Sequence, residues 1–111
     1  MIVIEANMNN YMDIISEMKQ KNARLVQICC TDADDGYEIT YSFDVDYDFT
    51  HIRLSIKYSQ EIESISGMFD PAFLYENEMK DLFGVKIIHI SPDFQGELYK
   101  LPKSAPFIGE P

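Results

Sequence analysis

Tyr37-Glu38-Ile39-Thr40-Tyr41-Ser42-Phe43-Asp44-Val45-Asp46-Tyr47-Asp48-Phe49 alternates apolar and polar residues without a break. Successive side chains of a strand point to opposite faces, so period two over this length predicts a strand with one buried and one wet face. The next run keeps the alternation in the opposite phase. Ile52, Leu54, Ile56 and Tyr58 are apolar, set between His51, Arg53, Ser55, Lys57 and Ser59. For the two strands to pair antiparallel with both apolar sets inward, each facing pair must join an odd-numbered to an even-numbered residue. The wet face then places acidic side chains of the first strand beside His51, Arg53 and Lys57 of the second.

Upstream of this pair, Asp32-Ala33-Asp34-Asp35-Gly36 predicts a hairpin turn, because Asp-Gly supplies left-handed backbone angles. Arg24 to Thr31 read as the strand that enters it. Cys29 and Cys30 are adjacent there and point to opposite faces, so they do not form the C-x-x-C arrangement of zinc or thiol redox sites. They read as two buried or half-buried free thiols. Nor do two neighbouring cysteines supply the spaced ligands of an iron–sulfur cluster. Further upstream, Met8, Tyr11, Met12, Ile15 and Met18 recur at helical spacing, with Asn7 as the candidate cap and Asn22 as the closing residue. Residues 2–5 read as a short first strand.

Downstream, residues 59–69 form a connection, and Asp70-Pro71 announces a second helix, since Asp favours the N-cap and Pro the first helical position. That helix runs to Phe83, with Gly84 where a left-handed C-cap is wanted. Residues 91–111 hold four of the five prolines. Proline blocks regular structure, while the apolar residues scattered among them argue against a purely solvated tail. The expectation is an α+β domain over residues 1–90, a mainly antiparallel sheet with helices on one face, followed by an extended Pro-rich C-terminal arm over 91–111.

The chain has 111 residues, 46% of them hydrophobic, and a formal charge of -10. That length suits one domain. The charge argues against nucleic-acid binding, which depends on Lys and Arg neutralising phosphates, and against docking on an anionic membrane surface. No apolar run approaches the roughly 18–20 residues that cross a bilayer. Met1-Ile2-Val3-Ile4-Glu5 lacks the basic region and long apolar run of a signal peptide, so a cytoplasmic location is expected.

Three constellations test for chemistry. Asp44-x-Asp46-x-Asp48 resembles the start of a calcium loop, but Phe49 and Ser55 stand where such a loop needs Gly and Glu. His51 and His89 have no ligand-type neighbour at metal-site spacing. Glu76, Glu78 and Asp81 on the second helix are the remaining acid/base candidates. At about 100° per residue, Ala72, Tyr75, Met79, Leu82 and Phe83 form one apolar stripe, with Glu76 and Glu78 on its two edges about 160° apart. Carboxylates on opposite flanks do not share one substrate; they frame the stripe, each facing a partner on its own side. No phosphate-binding glycine loop and no nucleophile elbow occurs. No active site assembles from these residues.

Glu76-Asn77-Glu78-Met79-Lys80-Asp81-Leu82-Phe83-Gly84-Val85 resembles the signature of the NuoC-type subunit family of respiratory complex I (NADH:quinone oxidoreductase) and its compact relatives in membrane-bound, energy-converting nickel–iron hydrogenases. The family pattern is Glu-Arg-Glu, two residues, Asp, two apolar residues and Gly, then a His-Pro-Asp-Leu-Arg-Arg segment. Both glutamates, the Asp, Leu-Phe and Gly fall in place. Asn77 replaces the Arg, Ser91-Pro92-Asp93-Phe94 stands for His-Pro-Asp-Leu, and Gln95 and Gly96 replace the basic pair. The order of elements over about residues 2–94 is also similar, although only the helix motif is specific. The short chain and its Asn77 fit the hydrogenase-type relatives better than the complex I subunit.

The resemblance implies a non-catalytic structural subunit with no flavin, metal or cluster. It also implies packing beside the large hydrogenase-like subunit, near a small iron–sulfur subunit, on the cytoplasmic side of an oxidoreductase complex peripheral to the membrane. The partner-binding residues that follow are Glu76, Glu78, Asp81, Pro92 and Asp93; in the arm, the scattered apolar residues themselves point to Phe107 and Ile108 as anchors, with Tyr99 and Leu101 nearer the domain. Two other classes stay open: a small free-standing enzyme with a polar cleft between sheet and helix, and an acidic adaptor unrelated to redox complexes.

Overall fold

Eight elements follow one another in residues 1–90, the part of the chain that the computed structural model describes. They are β1 (Ile2–Ala6), α1 (Tyr11–Gln20), β2 (Arg24–Asp32), β3 (Gly36–Val45), β4 (Asp48–Lys57), β5 (Glu61–Glu63), α2 (Ala72–Phe83) and β6 (Lys86–Ile88). The main sheet has the order β1-β4-β3-β2, with β2–β3 and β3–β4 antiparallel and β1 added parallel to β4. This is the expected α+β fold, mainly antiparallel with its helices on one face. The arm expected over 91–111 lies outside the described residues.

The β3–β4 register pairs Tyr37 with Ile56, Ile39 with Leu54 and Tyr41 with Ile52, an odd number with an even one each time. Their inward side chains are buried, and with Phe43, Ile15, Ile62 and Ile65 they form the centre of one core. On the opposite face Arg53 meets Glu5 at 2.9 Å and Glu38 at 3.9 Å, and His51 meets Ser42 at 2.8 Å.

The turns differ from the sequence reading. The strand expected to run to Phe49 ends at Val45, and the chain reverses through Asp46 and Tyr47 at φ 52° and 69°. Val45 faces Asp48 directly, so the loop has two residues, and Tyr47 points outward at 98% exposure. The alternation of residue types runs straight through this reversal and conceals it. Gly36, expected to supply the left-handed angles of the other hairpin, is not in that region. It is needed for space: a Cβ there would lie 1.8 Å from the carbonyl oxygen of Ile56 on β4.

Tyr11, Ile15 and Met18 bury the inner face of α1. The Asn7 carboxamide accepts the N–H groups of Asn9 and Asn10, which shapes the turn before the helix while Asn10 itself occupies the N-cap. Asn22, at φ 59°, closes α1 as expected, and the Ala23 N–H returns to the Met18 carbonyl at 3.0 Å. Pro71 already has helical angles ahead of α2, and Gly84 ends that helix at φ 80°.

β5 and β6 were not legible as strands. They pair parallel across α2, Ile62 facing Ile87, so that β5, α2 and β6 form a small β-α-β unit beside the main sheet. Three residues each are too few for alternation to register. No described helix is long and apolar enough to cross a membrane.

Candidate functional site

The sequence motif of interest occupies α2, and the fold gives that helix two different sides. Ala72, Glu76 and Met79, spaced four and three apart, form its buried line, with Asn77 buried beside them. Such spacing lies on one helix face. Glu76 is therefore not at the edge of the apolar stripe but inside the molecule, at 0% exposure. The buried arc is rotated from the expected stripe: it takes in Glu76 and Asn77 and leaves Leu82 and Phe83 partly exposed. The connection that follows β5 supplies the partners of Glu76 and makes its burial tolerable.

Those partners are specific. Ser64 Oγ donates to Glu76 Oε1 at 2.6 Å, and the Ile65 backbone N–H donates to Oε2 at 2.8 Å. Ser64 Oγ also lies 2.7 Å from Ser66 Oγ and accepts the Ser66 N–H at 2.9 Å. Burial pushes the Glu76 carboxyl up to about 7; the hydrogen bonds from Ser64 and Ile65 oppose this, and Glu63 adds to it. Nearby, the Tyr41 hydroxyl is buried without a hydrogen-bond partner, and its phenol is held well above its usual range by burial first and by Glu76 second. Asn77 donates to the Phe73 carbonyl at 2.8 Å, one turn back along its own helix.

The other side of α2 looks across to the edge strand β2. Tyr75 donates its hydroxyl to the Val26 carbonyl at 3.0 Å, and Tyr37 hydrogen-bonds the Phe83 carbonyl, so the helix is tied to the sheet near both ends. Val26 is the extra residue where the β2–β3 register shifts. Between these ties lies a groove of about 470 Å³, walled by Gln27–Thr31 of β2 and by Tyr75, Glu78, Met79, Leu82 and Phe83 of α2. Among the described residues Glu78 is the only charged one in its lining. Leu82 and Phe83, expected within the buried stripe, are 38% and 37% exposed here. Asp81 is half-buried. The helix thus separates the two glutamates: Glu76 faces the core and Glu78 faces the groove.

The remaining candidates fall elsewhere. Asp44, start of the calcium-like triplet, pairs with Arg24 at 3.1 Å and accepts the Tyr47 N–H at 2.8 Å, which stabilises the β3–β4 turn. His89 Nδ1 meets Glu63 Oε2 at 2.7 Å on the surface. Among the described residues no group of three His, Cys, Asp or Glu is placed to hold a metal. Cys29 is exposed, unlike the half-buried Cys30, whose thiol is raised to about 11 by burial and then by Asp32 and Cys29. Pro92, Asp93, Tyr99, Leu101, Phe107 and Ile108 lie outside the described residues. The sequence reading missed Ser64, Ser66 and the β2 wall. The alternation of Ser64 and Ser66 around Ile65 was a faint signal for the first two, and nothing marked the third.

The family model for "Respiratory-chain NADH dehydrogenase, 30 Kd subunit" matches residues 3–95. A trypsin-resistant fragment (1–134) of Nqo5 is similar in structure, with a TM-score of 0.74 and 16% identity over 83% of this chain and 81% of that one. So is a chain of the membrane-bound sulfane sulfur reductase, an archaeal respiratory membrane complex, with a TM-score of 0.76 and 16% identity. That match covers 91% of this chain and 64% of the other, so this chain spans less than two thirds of its length. No curated protein matches the sequence.

Proposed function

The chain belongs to the family of the respiratory-chain NADH dehydrogenase 30 kDa subunit, and from that premise we propose that it is a non-catalytic, structural subunit of a redox complex, of the complex I or energy-converting hydrogenase type. In this reading it packs against a large hydrogenase-like subunit, near a small iron–sulfur subunit, on the cytoplasmic side of a membrane-associated assembly that carries out electron transport. It holds no cofactor of its own. The family match over nearly the whole described fold carries the reading, and the geometry of α2 supports it. One side of the helix is anchored by Glu76 to its own domain, which leaves Glu78, Leu82 and Phe83 on the side available to a neighbour.

Partner contacts are assigned to Glu78 and Asp81 and, beyond the described residues, to Pro92, Asp93, Tyr99, Leu101, Phe107 and Ile108. Glu76 serves the same contact indirectly, by fixing how α2 is presented. A free-standing enzyme would need convergent polar groups in its cleft; the groove beside α2 is walled mainly by apolar side chains and carries one carboxylate. The test is native purification of a tagged chain. Co-elution with a hydrogenase-like subunit and a small iron–sulfur subunit is the expected result. A chain that elutes alone from native membranes and cytosol rejects the reading.

A further inference from the structure

The groove beside α2 has a property that a general packing surface does not need: one of its walls is a strand edge. β2 ends the sheet order β1-β4-β3-β2, and among the described residues no strand pairs with its outer side. A free edge offers a row of unpaired backbone N–H and C=O groups, the template for adding an extended segment. Proteins often cover such edges, and here the cover is partial. Tyr75 occupies the Val26 carbonyl at 3.0 Å, and the groove then runs along Gln27–Thr31.

Its chemistry narrows the occupant further. The facing wall offers Met79, Leu82 and Phe83, so an apolar or aromatic side chain is accommodated there. Among the described residues the single charge in the lining is Glu78, and the chain as a whole carries -10. A carboxylate beside apolar walls in a strongly negative protein favours a cation. A second copy of the same acidic chain brings mainly like charge, and a nucleic acid brings only like charge.

We propose that this groove receives an extended segment of a partner subunit, which adds to the Gln27–Thr31 edge, buries an apolar side chain against Leu82 and sets a Lys or Arg against Glu78. The inference rests on the subunit reading above and specifies where and how the partner is held.

Two thiol reporters, one on the outer face of β2 and one on the groove side of α2, test it in the assembled complex, with N-ethylmaleimide labelling read by mass spectrometry. The first is native Cys29 on β2, exposed in the chain alone, whereas Cys30 beside it is half-buried. The second is Leu82→Cys in a Cys29→Ser background. Both reporters should label in the isolated chain, and Leu82→Cys should lose at least tenfold in rate on assembly. In parallel, Glu78→Lys should lower recovery of the complex about tenfold with an unchanged circular-dichroism spectrum and thermal midpoint, while Glu78→Asp recovers most of it. A complex that forms with Leu82→Cys still reactive overturns the groove and leaves the subunit reading standing. Protection of Cys29 alone also overturns it, because the outer sheet face would then be the covered surface. So does protection in the isolated chain that disappears on deleting residues 91–111, which would make the chain's own end the occupant. Full recovery with Glu78→Lys rejects the cation, and if no complex forms with the wild-type chain, both readings fall.

Discussion

The buried carboxylate of Glu76 accepts the backbone N–H of Ile65 at 2.8 Å, which links the middle of α2 to the connection between β5 and that helix. Ser64 supplies the second bond, so one side chain satisfies two donors that have no water to turn to. A family-signature glutamate therefore acts within the domain: it sets the position of the helix whose other side faces the groove.

Removing that side chain should be costly. Glu76→Ala leaves the Ile65 N–H and one Ser64 bond unmet in the core, at about 1–3 kcal/mol for each buried orphan, and opens a cavity as well. Relief of the buried charge offsets part of this. The expected net loss is roughly 3 kcal/mol, read from urea unfolding of the isolated chain. A loss below about 0.5 kcal/mol, the range of an ordinary surface substitution, would place Glu76 on the surface after all.

The same burial makes stability depend on pH. The folded-state value of about 7 lies above the ordinary carboxyl value of 4.5, so the folded protein holds the Glu76 proton more tightly than the unfolded chain. Its contribution is fully present below about 4.5 and is lost as pH rises through about 7. Each pH unit between the two values corresponds to about 1.4 kcal/mol. Wild-type stability should therefore fall relative to Glu76→Gln between these limits and run parallel to it above pH 8. Denaturant titrations of both proteins at fixed salt cancel the background from the other carboxylates. A constant difference from pH 4 to pH 8 would mean that the fold leaves the Glu76 carboxyl at its ordinary value.

Gly36 gives a test that separates space from backbone conformation. Its Cβ would meet the Ile56 carbonyl at 1.8 Å, backbone against backbone, so β3 and β4 must separate to admit any side chain. Gly36→Ala should cost more than about 2 kcal/mol, in the range of overpacking or above it. Asn tolerates left-handed angles well, so a turn that needed only those angles would accept Gly36→Asn. Because space is the constraint, Asn should be at least as damaging as Ala. Thermal melts of the two variants decide it, and a mild Asn variant contradicts the close approach.

How much of this was legible depends on the length of each signal. The alternation through Tyr37–Val45 and Ile52–Ile56 marked two strands and, for an antiparallel pairing, the parity of their register, because a slip by one residue turns every apolar side chain outward. Asn22 and Gly84 marked helix ends because few residues accept positive φ. β5 and β6 stayed hidden at three residues each, and their absence from the reading had a consequence. Without them nothing covers the Glu76 side of α2, so its carboxylate reads as an edge of the stripe. The groove was invisible for a different reason. Its walls, around Cys29 and Leu82, come from segments about fifty residues apart in the sequence, and the sequence does not state which edge of the sheet the helix lies against.

The β3–β4 turn offers a gain in stability. Asp46 and Tyr47 both hold positive φ, at 52° and 69°, where a side chain costs about 1–2 kcal/mol and glycine does not. Tyr47 is 98% exposed, so its ring adds no packing that a substitution would forfeit. Its N–H bond to the Asp44 carboxylate uses the backbone and survives any change of side chain. Tyr47→Gly gains the relief of the left-handed angle and loses some unfolded-state restriction, since glycine has more freedom to give up. The net should be a stabilisation of about 0.5–1 kcal/mol, or a rise of a few degrees in thermal midpoint. Tyr47→Ala keeps the Cβ and with it the strain, so it should leave the midpoint within about a degree of wild type. Calorimetry of the three proteins checks the pair of outcomes. If Ala stabilises as much as Gly, removal of the exposed ring is responsible and the backbone account of this turn is wrong.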